Sequence, residues 1–321
     1  MFIPHNGCPH QCSFCNQRGI TGQSYQPTPY DVKSTIESAL KNLNLSAEAS
    51  EIAFFGGSFT AIDRKYMISL LEAAKPYVNK FKGIRISTRP DYINDEILTI
   101  LKSYGVTSIE LGAQSMSDKV LKSNNRGHLA DDVSKSSSLI KKYGFSLGLQ
   151  MMTGLYCSTP ESDIDTAEKF IALKPDTVRI YPTIIMKNTE LADLYLSGKF
   201  VPYSLEQSVD LCSKLILMFE SNGINIIRLG LHYSESLVNN SYGNNYHPAF
   251  KELCENKIFY DKFLQMAALV NKNKLEVFIN ESSLSKFLGQ KKSNLGKFNS
   301  IGYDIKISFD NSLNKYDLYI Q

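Results

Sequence analysis

No stretch of the chain approaches the roughly 18 to 20 consecutive apolar residues that a membrane span requires, and the N-terminus lacks a basic region followed by an apolar run and a cleavage site. The expected compartment is therefore the cytoplasm, with no membrane partner. Charge of one sign is also missing: Lys+Arg 35 against Asp+Glu 32 leaves a formal net charge of +3 over 321 residues. This excludes a whole-surface basic field for nonspecific nucleic-acid binding, so an acidic partner would have to meet a local patch. Six cysteines are too few for a disulfide scaffold in a chain of this length. Internal repeats, low-complexity tracts and long linkers are lacking as well. What is there, 43% hydrophobic and 21% charged residues, is an ordinary globular composition with enough chain for a substantial core. It leaves out disordered, collagen-like and coiled-coil architectures.

Short β-rich runs alternate with amphipathic helical patterns as far as about residue 230. Strands are predicted at Met1–Pro4, Glu51–Phe55, Ile84–Thr88, Thr107–Gly112, Ser146–Met151 and Thr177–Tyr181, and helices at about 29–44, 63–80, 94–104, 129–143 and 160–173. Six strands, each followed by a helix, imply right-handed βαβ crossovers and a parallel sheet. A further helix is read over Ser204 to Asn222: Ser204 and Gln207 stand at capping-box spacing, Leu205, Val209, Cys212, Ile216 and Phe219 share one face, and Gly223 supplies the stop. The tail differs, with a helical segment at about 248–271 and then strands at Leu275–Ile279, Tyr303–Phe309 and Tyr316–Ile320, separated by a short basic helix or loop. The expected organisation is a main α/β domain over 1–230 with a small α/β extension over 231–321 packed on it.

Three of the cysteines fall in Gly7-Cys8-Pro9-His10-Gln11-Cys12-Ser13-Phe14-Cys15, a C-x3-C-x2-C spacing directly after the first strand. So tight a loop can turn three thiolates toward one metal centre, yet it supplies only three sulfurs. A structural zinc site wants four protein ligands, the fourth then being His5, His10 or a distant cysteine. A 4Fe-4S cube held by three cysteines leaves one iron open for a small molecule, which suits a catalytic cluster. Spacing alone leaves both open. Cys157, Cys212 and Cys254 are too scattered for a second cluster; Cys212 and Cys254 read as core, and Cys157 follows the fifth strand.

The ends of the predicted strands carry further polar and glycine-rich motifs. After the second stands Phe55-Gly56-Gly57-Ser58-Phe59-Thr60, where paired glycines let the backbone approach a ligand and their carbonyls can accept from an ammonium group. Ser87-Thr88-Arg89-Pro90-Asp91 ends the third strand, Glu110-Leu111-Gly112-Ala113-Gln114-Ser115 the fourth, Gly148-Leu149-Gln150-Met151-Met152 the fifth and Arg179-Ile180-Tyr181-Pro182-Thr183 the sixth, while Asn125-Arg126-Gly127-His128 opens the helical region after the fourth. In α/β barrels this rim is where ligands bind, whatever the chemistry. Read as structure only, Gln114 and Gln150 are solvated strand-end residues and His128 is structural. The Arg126 guanidinium can hold a carboxylate through a two-pronged contact, and Tyr181 either faces a substrate or closes the barrel floor.

The cysteine spacing, with aromatic Phe14 before the last cysteine, and the strand-end motifs in this order resemble the radical S-adenosylmethionine (SAM) superfamily. Within it, residues 1–260 or so are similar to the radical SAM domain of the Elongator catalytic subunit and its stand-alone bacterial relatives. The resemblance implies an α/β fold: a partial TIM-like (β/α)6 radical SAM barrel with a small C-terminal α/β extension. It implies a 4Fe-4S cluster ligated by Cys8, Cys12 and Cys15, with SAM contacted by Phe14, Gly56, Gly57, Ser58, Thr88, Gln114, Arg126 and Gln150. Thr88 stands where related enzymes often place a ribose-binding carboxylate. The implied chemistry is reductive cleavage of SAM to a 5′-deoxyadenosyl radical that abstracts hydrogen from an unidentified substrate, with RNA the candidate. A flavodoxin- or ferredoxin-type donor would supply the electron.

The match begins almost at the cysteines and includes no acetyltransferase region, so acetyl-CoA chemistry is not expected to carry over. Lys286, Lys291, Lys292 and Lys297, with no acidic residue between them, are the local candidate for an RNA-phosphate contact. Two other readings compete. One is an oxygen-independent coproporphyrinogen oxidase-like enzyme, although Phe2-Ile3-Pro4-His5-Asn6-Gly7-Cys8 lacks the tyrosine-containing entry motif of that enzyme. The other is a non-catalytic zinc-dependent RNA-binding module.

Overall fold

The computed structural model describes residues 1–321 except His5, Gly7, Gln23, Ser24, Asn244 and Asn271 and the side chains of residues 18 and 43–46. His5, one candidate fourth metal ligand, thus lies outside the described residues. The chain forms two compact units, Met1–Pro202 with Met218–Asn244, and Tyr203–Leu217 with Asn245–Gln321.

The first unit contains β1 (Phe2–Ile3), β2 (Glu51–Gly56), β3 (Gly83–Thr88), β4 (Val106–Gln114), β5 (Ser146–Thr153), β6 (Thr177–Pro182), β7 (Ile185–Met186), β8 (Asn225–Leu229) and β9 (Ser241–Tyr242). Seven of these form one sheet in the order β1-β2-β3-β4-β5-β6-β8, and every pairing in it is parallel. Such a sheet, with helices between consecutive strands, is the partial TIM-like α/β barrel. β7 and β9 form a separate antiparallel pair.

Successive strand residues point to opposite faces. Ile52, Phe54, Ile84, Ile86, Ile109, Leu111, Leu147, Leu149, Val178 and Ile180 lie on one face and are buried. Each such side chain contributes about 1.5–3 kcal/mol by leaving water. The helices that bury this face start where short polar side chains cap them. Asp63 accepts from Tyr66 N, Asn94 from Ile97 N and Thr159 from Ser162 N, caps worth about 1 kcal/mol each. Ser204 and Gln207 form the expected reciprocal bonds, Ser204 N to Gln207 Oε1 at 2.9 Å and Gln207 N to Ser204 Oγ at 3.1 Å.

Three expectations need correcting. The α-helix expected over 63–80 ends at Ala74 and continues as a 3-10 turn over Lys75–Lys80, because Pro76 cannot donate to the helical ladder. The parallel sheet has a seventh strand, β8, a five-residue run after Gly223 that is followed only by the five-residue helix Glu235–Asn239. In the tail, the helix expected to reach 271 ends at Ala267, and the last strand shortens from Tyr316–Ile320 to Leu318–Ile320.

The second unit comprises the helix Phe250–Ala267, β10 (Lys274–Ile279), the short helices Leu284–Leu288 and Ser293–Ser300, β11 (Asp304–Phe309) and β12 (Leu318–Ile320). Its sheet has the order β11-β10-β12, parallel then antiparallel. Phe259, Phe263, Phe287 and Phe298 are fully buried, with the Phe263 and Phe298 rings 4.1 Å apart at their centroids. Cys212 and Cys254 are buried as expected. Lys291 and Lys292 are exposed, while Lys297 Nζ lies 5.2 Å from the centre of the Tyr260 ring. Among the described residues no helix is long and apolar enough to cross a membrane.

Candidate active site

The cysteine loop leaves β1 and is clamped from two sides. Ser13 N donates to Asn124 O at 3.1 Å and Ser13 Oγ to Asn124 Oδ1 at 2.8 Å. Asn124 Nδ2 in turn donates to Val120 O and Tyr156 O. From the other side Leu191 N donates to Ser13 O at 2.8 Å, and Asn16 Nδ2 to Lys187 O at 2.8 Å. Cys12 is buried, Cys15 half-buried and Cys8 exposed at the rim. Burial, and then Cys12, push the Cys8 thiol up. Burial first, then Cys12 and Cys8, push Cys15 up to about 12.

The glycine loop is held against the first strand by Gly57 N to Ile3 O at 2.7 Å and Ser58 N to Asn6 O at 3.0 Å. Gly56 has φ +122, and a Cβ on Gly57 would collide with the Asn6 carbonyl, so this approach requires both glycines. Gly56 O already accepts from Gln17 Nε2 at 2.5 Å, so the carbonyl expected to be free is partly engaged. Ser58 Oγ lies 2.9 Å and Thr60 Oγ1 2.6 Å from Thr88 Oγ1. Thr88, expected as a cofactor contact, therefore has its hydroxyl committed to tying β2 to β3.

Arg126 is buried. Its Nη1 donates to Cys12 Sγ at 3.0 Å, its Nη2 donates to Gly112 O, and its Nε has no partner among the described residues. The Arg126 carbonyl accepts from Arg89 Nη2 at 2.6 Å, and Arg89 is paired with Asp91 through two bonds of 2.9 and 2.8 Å. Gln114 sits at φ +69 beside a register shift between Leu111 and Gln114, and its Oε1 accepts from Gln150 Nε2 at 3.2 Å. His128 is buried with Nε2 3.2 Å from Ala113 O. Its pKa is lowered to about 3, by burial first and then by Arg126 and Arg89.

All eleven residues expected as ligands or cofactor contacts line one cavity of about 160 Å³. The lining also takes in residues not expected as contacts, among them Arg89, Glu110 and Gln17. Arg89 stood in the Ser87–Asp91 motif two positions from its carboxylate partner, and Glu110 was the lone charged residue of its strand; both were available signals. Cys157, at φ +65, and Tyr181 are not part of this lining.

The donor set fits an iron–sulfur cluster with an anionic companion. Among the described residues no three His, Cys, Asp or Glu side chains gather closely enough to hold a single metal ion. A lone zinc would need its ligands about 2.0–2.3 Å from one point, whereas a cube takes each thiolate at a different iron and spreads them around its own body. A buried guanidinium with an unpartnered Nε beside those thiols suits negative charge placed there.

Comparison with known proteins agrees with this donor chemistry. Residues 2–171 match the profile of the Radical SAM superfamily, and residues 175–259 match the Radical_SAM C-terminal domain. Elongator complex protein 3 of Bos taurus is 30% identical over 267 residues, covering 68% of this chain and 48% of the relative. The tRNA uridine(34) acetyltransferase of Methanocaldococcus jannaschii is 28% identical over 252 residues, covering 64% and 46%. The chain thus spans about half the length of these curated relatives. The solved structure of archaeal Methanocaldococcus infernus Elp3 with an N-terminal deletion superposes with a TM-score of 0.63 at 24% identity, over 75% of this chain and 60% of that one, a likeness of fold. A non-catalytic zinc module is set aside by these matches. With the superfamily profile spanning more than half of the chain and the three cysteines lining one cavity with the strand-end motifs, the chain belongs to the radical SAM superfamily, as an enzyme of the class that works with a 4Fe-4S cluster and S-adenosylmethionine.

Proposed function

We propose that Cys8, Cys12 and Cys15 hold the 4Fe-4S cluster, that Phe14, Gly56, Gly57, Ser58, Gln114, Arg126 and Gln150 contact SAM, and that the substrate is an RNA. The observation that carries the cofactor assignment is the buried Arg126 guanidinium beside Cys12 within the cavity that all these residues line. When bound, the cluster would supply the one-electron reduction of SAM on which hydrogen abstraction from the substrate depends.

The chain's own residues do the rest. Arg126 donates to the SAM carboxylate, a charge-assisted contact that fixes the cofactor's orientation. The Gly56-Gly57 backbone would accept from its amino group, with Gly56 O already accepting from Gln17 Nε2. Thr88 keeps Ser58 in place rather than touching the ligand itself. Gln114 and Gln150, joined to each other, present amide groups to the ribose side. Met1–Pro202 with Met218–Asn244 form the catalytic barrel, and Tyr203–Leu217 with Asn245–Gln321 the extension.

RNA is supported by the relatives named as Elongator complex protein 3 and tRNA uridine(34) acetyltransferase, and a flavodoxin- or ferredoxin-type protein is the fitting donor. The decisive experiment is anaerobic reconstitution followed by comparison of modified nucleosides, by mass spectrometry, in RNA from wild-type and deletion strains. About four irons per chain with SAM cleavage, and a nucleoside that disappears on deletion, are expected. An unchanged nucleoside profile rejects RNA. Porphyrinogen decarboxylation by the purified enzyme would put the coproporphyrinogen oxidase reading in its place.

A further inference from the structure

The six longer strands of the parallel sheet carry five charged residues, Glu51, Arg85, Glu110, Arg179 and Arg228, and the pairing register puts all five on the face opposite the apolar one. In a closed (β/α)8 barrel that inner face is packed with Val, Ile and Leu. Here it is polar, with Ser108 and Gly148 between the charges.

Three ion pairs organise it: Arg85 Nε lies 2.7 Å from a Glu51 carboxylate oxygen, Arg179 Nε 2.8 Å from one of Glu110, and Arg85 Nη1 3.9 Å from Glu110 Oε2. Buried pairs of this kind add little over apolar packing, because desolvation offsets the attraction, so stability alone does not account for them. Glu110 is 3% exposed and lines the cysteine cavity, whereas Arg179, with 27% of its side chain exposed, lies beyond that lining. The pair therefore leads from the cavity into the space beside it. Tyr181 Oη accepts from Arg179 Nη1 at 3.4 Å, and Arg228 sits in register with Arg179 on the next strand. His232 is held below its ordinary pKa by burial and then by Arg228 and Arg179, which places both cations within reach of one region.

We propose that Arg179, Arg228 and Tyr181 form an anion-binding subsite beside the cavity and that the substrate carries a carboxylate or phosphate group held there. This rests on the radical SAM reading and adds to it the chemistry of the group recognised. A guanidinium has five N–H donors, and the contacts to Glu110 and Tyr181 use two of those on Arg179, leaving a planar fork suited to either oxyanion. Glu110 positions that fork.

The test is calorimetric titration of the anaerobically reconstituted holoenzyme, with SAM present, against inorganic phosphate and against succinate. Wild type should bind one of them, and the anion preferred identifies the group. Arg179→Gln combined with Glu110→Gln, which leaves no buried charge unpaired, should weaken binding roughly tenfold or more, as loss of a charge-assisted contact does. Should the double variant not fold by circular dichroism, Arg228→Gln is the second variant, with the same expected loss. Equal affinity in a folded variant and wild type overturns the subsite. So does a wild type that holds about four irons and binds neither anion; a wild type that takes up no iron fails the underlying reading instead.

Discussion

Arg126 Nη1 donates to Cys12 Sγ across 3.0 Å, joining residues 114 positions apart in the chain. Cys12 sits on the loop after β1 and Arg126 just past the helix Asp118–Ser123, so the contact exists only once four βα steps have folded. A guanidinium at this distance suits an anionic group bound beside the loop.

The three loop cysteines should behave as a set. Cys8→Ala, Cys12→Ala and Cys15→Ala should each lose iron and sulfide after anaerobic reconstitution, whereas Cys212→Ala, buried in the second unit, should retain both. Full iron in Cys12→Ala would remove the ligand assignment.

For Arg126→Ala, SAM affinity should fall about ten- to a hundredfold, corresponding to the roughly 1.5–3 kcal/mol of a charge-assisted contact. Equilibrium dialysis with labelled SAM reads this directly. Unchanged affinity would reduce Arg126 to a partner of Cys12.

His128 gives the fold an acid sensitivity whose sign follows from burial. Its pKa is lowered from 6.5 to about 3, so below pH 6.5 the unfolded chain binds a proton that the folded chain does not. Stability is thus full above pH 6.5 and declines as pH falls toward 3. Urea midpoints measured at pH 7 and pH 4.5 should differ in wild type and differ less in His128→Gln; an equal difference would show that other groups carry the effect.

Neutralising Lys291, Lys292 and Lys297 together should weaken RNA binding, most at low salt, because each phosphate contact adds to the counterion-release slope. Filter binding across a salt series measures both quantities. Lys297 already lies against Tyr260, so Lys291 and Lys292 are expected to carry most of the loss. An unchanged slope rejects this patch.

Where chemistry and periodicity agreed, the sequence could be read closely. The alternation in Gly83–Thr88 and Ser146–Thr153 marked strands because one face had to be apolar for the helices, and Ser204 with Gln207 marked a helix start because the cap bonds are local. Local pattern fails when a residue's role depends on distant partners. Thr88 reads as a ligand position, yet its hydroxyl is claimed by Ser58 and Thr60, contributed by another strand end. Arg126 reads as a residue that can hold a carboxylate, and only the fold shows that it also donates to Cys12 Sγ. Glu110 and Arg179 are 69 positions apart, and only sheet order reveals that they pair.

The interleaved division of the chain has a consequence for its synthesis. Tyr203–Leu217 belongs with Asn245–Gln321, but it is made before Met218–Asn244, the segment that finishes the other unit with β8. Emerging at about 5–20 residues per second, the first part of the helix Leu205–Ser221 must wait for more than seventy later residues before its own unit is whole. During that interval Cys212, buried in the finished protein and near Cys254, lacks that later-made neighbour. A ribosome stalled near residue 245 would therefore hold a chain whose barrel strands are all made and whose sticky helix is not yet covered, a state in which chaperone capture or aggregation competes with folding.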